Sequence, residues 1–525
     1  MQLGFVLDMT RCIGCHACTV ACKSENNVPV GDFRTWVKYT EQGTFPEVQR
    51  SFTVLRCNQC TDAPCVEICP VTAIDKRTSD GIVDIDHDIC IGCKACMHGC
   101  PYDAIYLNED SGTAEKCHFC AHRTEQGLAP ACAVVCPTEA IVPGDFHDPH
   151  SAVSRMDHEF DLAVRKPEAG TKPNVRYRDA SPAGIDPLKT NGAGGYLWSQ
   201  QMPGPQLDAE LFQAYEDKAK DGVVGATART TYDVNRKPLW GAKITGYLFF
   251  KSLAAGVFLA GSLLLEPAGL GIDPTLGADA FRAILAVPVL SLIFLAVTLV
   301  LLVADLKRPE RFLKIMLRPN WNSWLAKGSF VLMGYGLLLT AWALMGFVGA
   351  NPSGVMGWLL LVTTALFAAT SAGYTAFLFG QAKGRVLWMK RGYALHLVIQ
   401  AMLAGSALLL VASPLLGLAE EASQALGDVL LVSLLLHAGL TLGEGQLAPK
   451  DRGVEFGRAV RLVSHGPYAR LHWLVGLGLG VAVPAALLFV SAYGPLAVIA
   501  GLLALAGLFV EKDIFVRAGQ ALRIS

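Results

Sequence analysis

From Trp240 onward the sequence is a succession of long apolar runs, and no other feature restricts the fold as much. Eight runs, at roughly 244–265, 281–304, 326–349, 355–379, 395–418, 425–444, 471–491 and 495–511, approach membrane-spanning length. A span needs about 20 apolar residues. Inside a bilayer each backbone polar group must find its partner within the segment, so each run is expected to be a transmembrane helix. The last run is short, and Pro288, Pro414 and Pro484 interrupt others. Gly476 and Gly480 in "GLGLG" would let neighbouring helices approach closely. Composition agrees: 52% of residues are hydrophobic and 17% charged, more apolar than an average soluble protein.

The connections between runs alternate in charge. Lys307, Arg308, Arg311, Lys314, Arg318 and Lys327 follow the second run. Lys383, Arg385, Lys390 and Arg391 follow the fourth, and Lys450, Arg452, Arg458, Arg461 and Arg470 follow the sixth. The other connections carry only Arg282, with Glu420 and Glu421 in one of them. Basic loops stay on the cytoplasmic side, so both termini and everything before Trp240 are expected in the cytoplasm. The opening "MQLGFVLDMTRC" lacks a basic start, a sustained apolar stretch and a twin arginine, and predicts no export signal. The net charge of -1 and the absence of a basic stretch with interleaved aromatics argue against a nucleic-acid partner.

All sixteen cysteines lie between Cys12 and Cys136. Cys12, Cys15, Cys18 and Cys22 follow C-x2-C-x2-C-x3-C, and Cys90, Cys93, Cys96 and Cys100 repeat it. Cys57, Cys60, Cys65 and Cys69 widen the middle gap; Cys117, Cys120, Cys132 and Cys136 open it to eleven residues. Three groups continue as "CPVTAI", "CPYDAI" and "CPTEAI", the trace of a duplicated unit. Such runs suit a cubane: three close sulfurs wrap one corner, the glycine of "CIGC" lets the backbone turn, and the fourth sulfur reaches another cluster. Proline after the fourth cysteine stops a helix from running back into the site. Sixteen cysteines then give four [4Fe–4S] clusters. Zinc held by four cysteines shares the C-x2-C element, but zinc ribbons separate their pairs by longer gaps. Disulfides fit neither a cytoplasmic setting nor cysteines three apart. His16, His98, His118 and His122 are read as neighbours of the sulfurs or surface groups.

The four groups, in this order and with the stretched fourth, resemble the electron-transfer subunit of the DMSO reductase family of molybdoenzymes. The resemblance implies two ferredoxin-like folds in which the first group pairs with the fourth and the second with the third. Cluster one would use Cys12, Cys15, Cys18 and Cys136, and its neighbour Cys117, Cys120, Cys132 and Cys22. The third would use Cys57, Cys60, Cys65 and Cys100, the fourth Cys90, Cys93, Cys96 and Cys69. Some relatives carry Trp in the third group and hold three irons; Cys93 here implies four. "DLKRPERF" (Asp305 to Phe312), "RPNWNSWLAKG" (Arg318 to Gly328) and "AGQ" (Ala518 to Gln520) resemble the NrfD-like membrane subunit of polysulfide reductase. That family exchanges electrons with quinone, menaquinone or ubiquinone, and generally lacks haem. The two subunits are normally separate polypeptides and look fused here. His396, His437 and His472 leave one bis-histidine haem arithmetically possible, yet no haem is expected.

The expected fold class is thus an α+β double ferredoxin-like iron–sulfur domain (1–145), an extended linker or docking segment (146–236) and an all-α membrane domain of eight helices in two four-helix bundles (237–525). "DAELFQAYEDKAKDG" would form one helix in the linker, and "GAGG" at 192–195 lacks the strand a nucleotide site requires. A quinone carbonyl needs a donor that also delivers a proton. Lys243, Tyr247 and Lys251 share one face of the first span; Asp305, Trp324, Lys327, Tyr374 and Gln381 are expected at the same end. In relatives a fourth-span tyrosine contacts the quinone, and Tyr374 in "SAGYTAF" is its match, while a first-span histidine of some relatives is missing. Snorkelling to the interface is the plain alternative for Lys243 and Lys251, and an Asp305–Arg308 ion pair for the loop. His437 and Glu444 are read as proton carriers or, more simply, as groups at the wet interface, with Glu444 near Arg452 or Arg458. The expected function is a membrane-bound wire between quinone and a separate cytoplasmic molybdopterin-type catalytic subunit, with sulfite or formate oxidation favoured and polysulfide-, thiosulfate- or DMSO-type reduction possible. A haem, hydrogenase or heterodisulfide-type partner, a zinc-binding non-redox protein, and a higher oligomer stay open.

Overall fold

The computed structural model describes residues 1–44, 46–191, 228–234, 236, 238–262, 277–348 and 354–525. The helix expected at 208–222 and the "GAGG" stretch lie outside the described residues.

The cysteine half is built on strand β1 (Leu3–Asp8), whose Phe5, Val6 and Leu7 are fully buried. It lies between β8 (Ile141–Asp145), antiparallel with Leu7 opposite Ile141, and β9 (Val175–Arg178), parallel. The strand before the first cysteine group therefore pairs with the strand after the fourth. A long hairpin, β2 (Thr35–Thr44) and β3 (Glu47–Arg56), is widened by β11 (Ala228–Tyr232) and β10 (Thr190–Asn191). Two short hairpins, β4 (Ile74–Lys76) with β5 (Val83–Ile85) and β6 (Ile105–Asn108) with β7 (Thr113–Lys116), follow "CPVTAI" and "CPYDAI". Short helices at Ala17–Glu25 and Ala95–Gly99 start directly after the "CIGC" turns. Gly14 (φ 71°) and Gly92 (φ 67°) occupy the left-handed region in those turns, and a Cβ on Gly92 would meet the Gly112 carbonyl at 2.5 Å.

Residues 146–191 do not form the extended linker expected from their composition. They make a helix (Ala152–Glu159) against β1 and β8, and supply β9. Strand pairing with distant residues, rather than local periodicity, orders this stretch.

Among the described residues eight helices are long and apolar enough to cross a membrane. They are α1 (Ala242–Ser262), α2 (Gly277–Asp305), α3 (Trp324–Phe347), α4 (Gly354–Gln381), α5 (Tyr393–Leu416), α6 (Glu420–Leu442), α7 (Leu471–Val490) and α8 (Gly494–Ala521). They form two four-helix bundles, α1–α4 and α5–α8. The bundles meet along α1 and α5, whose most apolar stretches are 83% and 61% buried, against about a third for the others. A Cβ on Gly256 of α1 would press on the Gly405 amide of α5 at 2.8 Å, so the seam depends on bare backbone. Gly480 of α7 faces Gly507 of α8 in the same way. The first turns of α7 (Leu471–Ala482) are π-helical and become α-helical at Val483–Val490, beside Pro484, which donates no backbone hydrogen bond.

The two halves share one apolar core, running from Cys57, Cys96 and Cys100 to Trp240, Leu248, Phe379 and Trp388. The loop motifs of the membrane half grip the cysteine half by its carbonyls. Arg311 donates to the carbonyls of His87 (2.7 Å) and Cys90 (3.0 Å), and Arg308 to that of Ser111 (2.7 Å). Asn320 Nδ2 reaches the Cys69 carbonyl (2.8 Å) and Ser323 Oγ that of Ile68 (2.7 Å). Gln520 of "AGQ" accepts from the amides of Leu239 and Trp240 (both 2.9 Å) and donates to the Trp240 carbonyl (2.8 Å), fixing the chain where it joins α1.

Candidate functional site

Each set of sulfurs takes three from one group and the fourth from another. Cys69 lines one cavity with Cys90, Cys93 and Cys96, closed by Val71, Ile74 and Ile91. Cys22 lines a second with Cys117, Cys120 and Cys132, beside Phe5 and Phe119. Cys60 lies within electrostatic reach of Cys57, Cys65 and Cys100, and Cys12 of Cys15, Cys18 and Cys136. Among the described residues no three His, Cys, Asp or Glu side chains close on a single ion. The four-sulfur sets suit a cage of iron and sulfide.

Burial pushes the Cys18 and Cys100 thiols up to about 11 and that of Cys93 to about 12. Neighbouring sulfurs add to the rise, because like charges crowd together. Such thiols ionise readily only around a cationic centre, which an iron cage supplies. Fixed cations stand between the sets. Arg56 is fully buried, with Nη1 3.3 Å from the Cys132 sulfur. Lys116, also buried, lies within reach of Cys57, Cys65 and Cys117 and donates to the carbonyls of Val83 and, at 3.0 Å, Cys117.

The histidines near the sulfurs take separate roles. His16 bonds Tyr39 (2.9 Å), and His122 pairs with Glu25 at the surface (2.9 Å). His98 is wholly buried where the halves meet, its ring 4.1 Å from that of Trp240 and 5.0 Å from that of Trp388. Burial holds it well below the usual imidazole range, and the neighbouring Arg385 guanidinium adds to the effect. It accepts from Arg385 Nε at 3.3 Å.

Below this junction the structure brings together Tyr247, Lys251 and Tyr374 of the residues expected at the quinone. Tyr247 Oη and Tyr374 Oη are 2.5 Å apart. Lys251 Nζ sits over the Tyr374 ring, 4.8 Å from its centre, and donates to the Ala372 carbonyl (2.9 Å) and to Thr375 Oγ1. Gly328 leaves room for the Tyr374 ring, since a Cβ there would overlap it. Lys251 is fully buried and does not snorkel; Lys243 is exposed and reaches the Ala304 carbonyl (2.6 Å).

Asp305 is not with them. Its partner is Lys94 (2.8 Å), the residue after Cys93 on the wall of the cavity at Cys69. The Asp305–Arg308 pair expected in the loop is absent among the described contacts; Arg308 turns to Ser111 and Glu310. Gln381 and Trp324 are tied to each other and, through Gln381, to Glu67 (3.0 Å). Glu444 lies beyond the end of α6 and pairs with Lys390 (2.6 Å), not with Arg452 or Arg458; Arg452 binds Glu455 (2.5 Å). Two charged groups escaped sequence reading altogether. Glu511 and Lys512 lie in "FVEKDIF", where the last apolar run ends, but α8 continues through them.

Comparison with known proteins adds the lineage. The polysulphide reductase, NrfD, family matches residues 231–523, and the 4Fe-4S dicluster domain matches 48–146. The chain is similar to a tetrathionate reductase subunit of Salmonella typhimurium, 44% identical over 203 residues, 38% of this chain and 80% of that protein. It is 38% identical over 227 residues to the arsenate respiratory reductase iron–sulfur protein ArrB of a Shewanella species, 34% of this chain and 96% of that protein. Protein NrfC of Escherichia coli is 39% identical over 180 residues, 34% of this chain and 80% of that protein.

Proposed function

Because the chain belongs to the polysulphide reductase NrfD family and carries a 4Fe-4S dicluster domain in the same polypeptide, we propose that it relays electrons between membrane quinone and a separate molybdopterin-type catalytic subunit. The observation that carries this reading is the pairing of sulfurs across groups, with Cys69, Cys90, Cys93 and Cys96 around one cavity next to the membrane loops. The sixteen cysteines hold four [4Fe–4S] clusters in the sets read from the sequence, and those clusters supply one-electron transfer when bound. Arg56, Lys116 and Lys94 offset the negative charge of the thiolates and so favour reduction of the nearest sets.

At the far end Tyr374, with Tyr247 and Lys251 behind it, binds a quinone carbonyl, donates the proton on reduction and takes it back on oxidation. The quinone is menaquinone or ubiquinone. The basic loops favour a cytoplasmic position for the cluster-bearing half and both termini. That side favours oxidation of an internal donor such as sulfite or formate with quinone reduced. The relatives named as tetrathionate and arsenate reductase subunits favour the second reading, quinol oxidised and the partner's substrate reduced.

The test uses the complex purified without oxygen. About sixteen irons per chain are expected for four four-iron clusters, and added quinol or quinone changes their reduction level. Tyr374→Phe lowers the quinone-linked rate by about 100-fold and leaves the cluster EPR spectrum unchanged. Far fewer irons, or clusters indifferent to quinone and quinol, overturn the reading.

A further inference from the structure

The second bundle contains a buried polar cluster that electron transfer does not use. Lys390, His396, Gln400, His472, Glu511 and Lys512 line one cavity, with Glu444 at its edge. All are buried. They form a series of three bonded groups around that cavity. Lys390 Nζ binds Glu444 (2.6 Å). His437 joins His396 (2.7 Å) to Glu511 (2.5 Å), and His472 approaches the other Glu511 oxygen (3.9 Å). Lys512 Nζ donates to Gln400 Oε1 (2.8 Å), and α8, the helix that carries Lys512, packs against α1, the helix that carries Lys251. Lys251 lies against Tyr374.

Deeper in the bilayer the series stops. Below them the buried side chains of α5, α6 and α8 include Leu403, Ala404, Ser406, Leu430, Ser433, Leu434, Ala504 and Leu508, none of them charged. Toward the basic loops, Lys390 and Glu444 stand just outside α5 and α6. Ionisable groups at this depth are expensive and mark ion or proton pathways. This one begins at Lys390 and Glu444, on the side that carries the cysteine half, and reaches Lys512 on α8, which packs against the helix that bears Tyr247 and Lys251.

We propose that the second bundle is the proton route of the quinone site, joining Tyr374 and Lys251 to the aqueous phase on the cluster-bearing side. The inference rests on the quinone reading above. Each quinone reduced takes two electrons from the clusters and two protons through this series, and an O–H bond forms at each carbonyl oxygen. The protons pass Lys390 and Glu444, then Glu511 with its histidines, then Lys512, then Lys251. Quinol oxidation runs the same steps backwards. Electrons and protons then arrive from one side, and the reaction carries no net charge across the membrane.

The complex in sealed vesicles, cluster-bearing side outward, tests this with reduced methyl viologen as donor and a short-chain quinone as acceptor. Oxidation of the viologen radical releases no proton. Two external protons should disappear for each quinone reduced, with no change in a pH dye trapped inside and no signal from a membrane-potential dye. Glu511 is faced by His437 from α6, His472 from α7, Tyr393 from α5, Lys390 from the preceding loop and Lys512 on its own helix. Glu511→Gln should slow proton uptake and quinone reduction about 100-fold and flatten the pH–rate profile, with viologen still bleaching the clusters at the normal rate. Glu511→Asp should restore much of both. If Glu511→Gln does not assemble, Glu444→Gln carries the same expectation. Protons drawn from the interior, or a carboxamide variant with the wild-type pH profile, overturn the proton route. A wild-type complex whose clusters bleach while quinone stays oxidised overturns the quinone reading instead.

Discussion

Arg56 and Lys38 show two fates for a buried cation on one hairpin. Arg56 lies over the Phe5 ring (4.3 Å) and next to sulfurs whose negative charge stabilises it. Lys38, equally buried on β2, lacks that compensation. Burial pushes its ammonium down to about 8, Arg165 and Arg523 push the same way, and Asp233 opposes them. In the unfolded chain the group titrates near 10.4. Below pH 8 both states are protonated and the burial penalty is complete. Between about 8 and 10.4 the unfolded chain binds more protons, so stability from this group rises with pH. Lys38→Met should therefore raise stability at pH 7 by on the order of 3 kcal/mol, and its advantage over wild type should shrink toward pH 10. Thermal unfolding of both proteins in detergent checks this; an advantage independent of pH contradicts it. At the same scale, the spacing of four that sets Tyr247 and Lys251 on one face was legible in the sequence, whereas Tyr374, which the structure places against both, came only from the likeness of "SAGYTAF" to the fourth-span tyrosine of the family. Asp305 misled, because its neighbours in sequence include Arg308, while its partner Lys94 is brought in by the fold.

At the scale of elements, the α1–α5 seam holds the two bundles together. Gly256 and Gly405 bring backbone against backbone there, and Tyr335 Oη of α3 donates to the Ala254 carbonyl (2.8 Å) on the same stretch of α1. Any side chain at Gly256 forces the helices apart. Gly256→Leu should destabilise the protein by about 3 kcal/mol or more, seen as a lower unfolding midpoint and loss of the monodisperse peak in detergent. An unchanged midpoint would show that the seam is not close-packed. All eight spans were legible, because length and apolarity suffice for a helix in lipid. The segment 146–191 was not, because strands of a few residues owe their order to β1 and β8, which no local pattern reveals. The extension of α8 to Ala521 was hidden for a related reason: Glu511 and Lys512 end the apolar signal, but His437 and Gln400 satisfy them inside the bundle.

Across the whole molecule, electron transfer depends on how the halves are seated. The motifs "DLKRPERF" and "RPNWNSWLAKG" supply the seat, binding carbonyls on either side of Cys69 and Cys90. Asn320→Leu removes the donor to Cys69 and leaves that carbonyl without it, at a cost of about 1–3 kcal/mol. The expected result is slower passage of electrons from viologen-reduced clusters to quinone, with iron content preserved; an unaffected rate would assign the seat to the arginines alone. The basic residues that indicated orientation in the sequence thus also hold the cysteine half in place. A second anchor comes from the last residues. Arg385 donates to the carbonyls of Gln520 (3.2 Å) and Leu522 (3.4 Å), and Ser525 Oγ to Asp103 (3.2 Å). During synthesis the cysteine half emerges first, yet part of its mooring is translated only after the eighth helix. The seating of the cysteine half is therefore completed only by residues made after all eight spans.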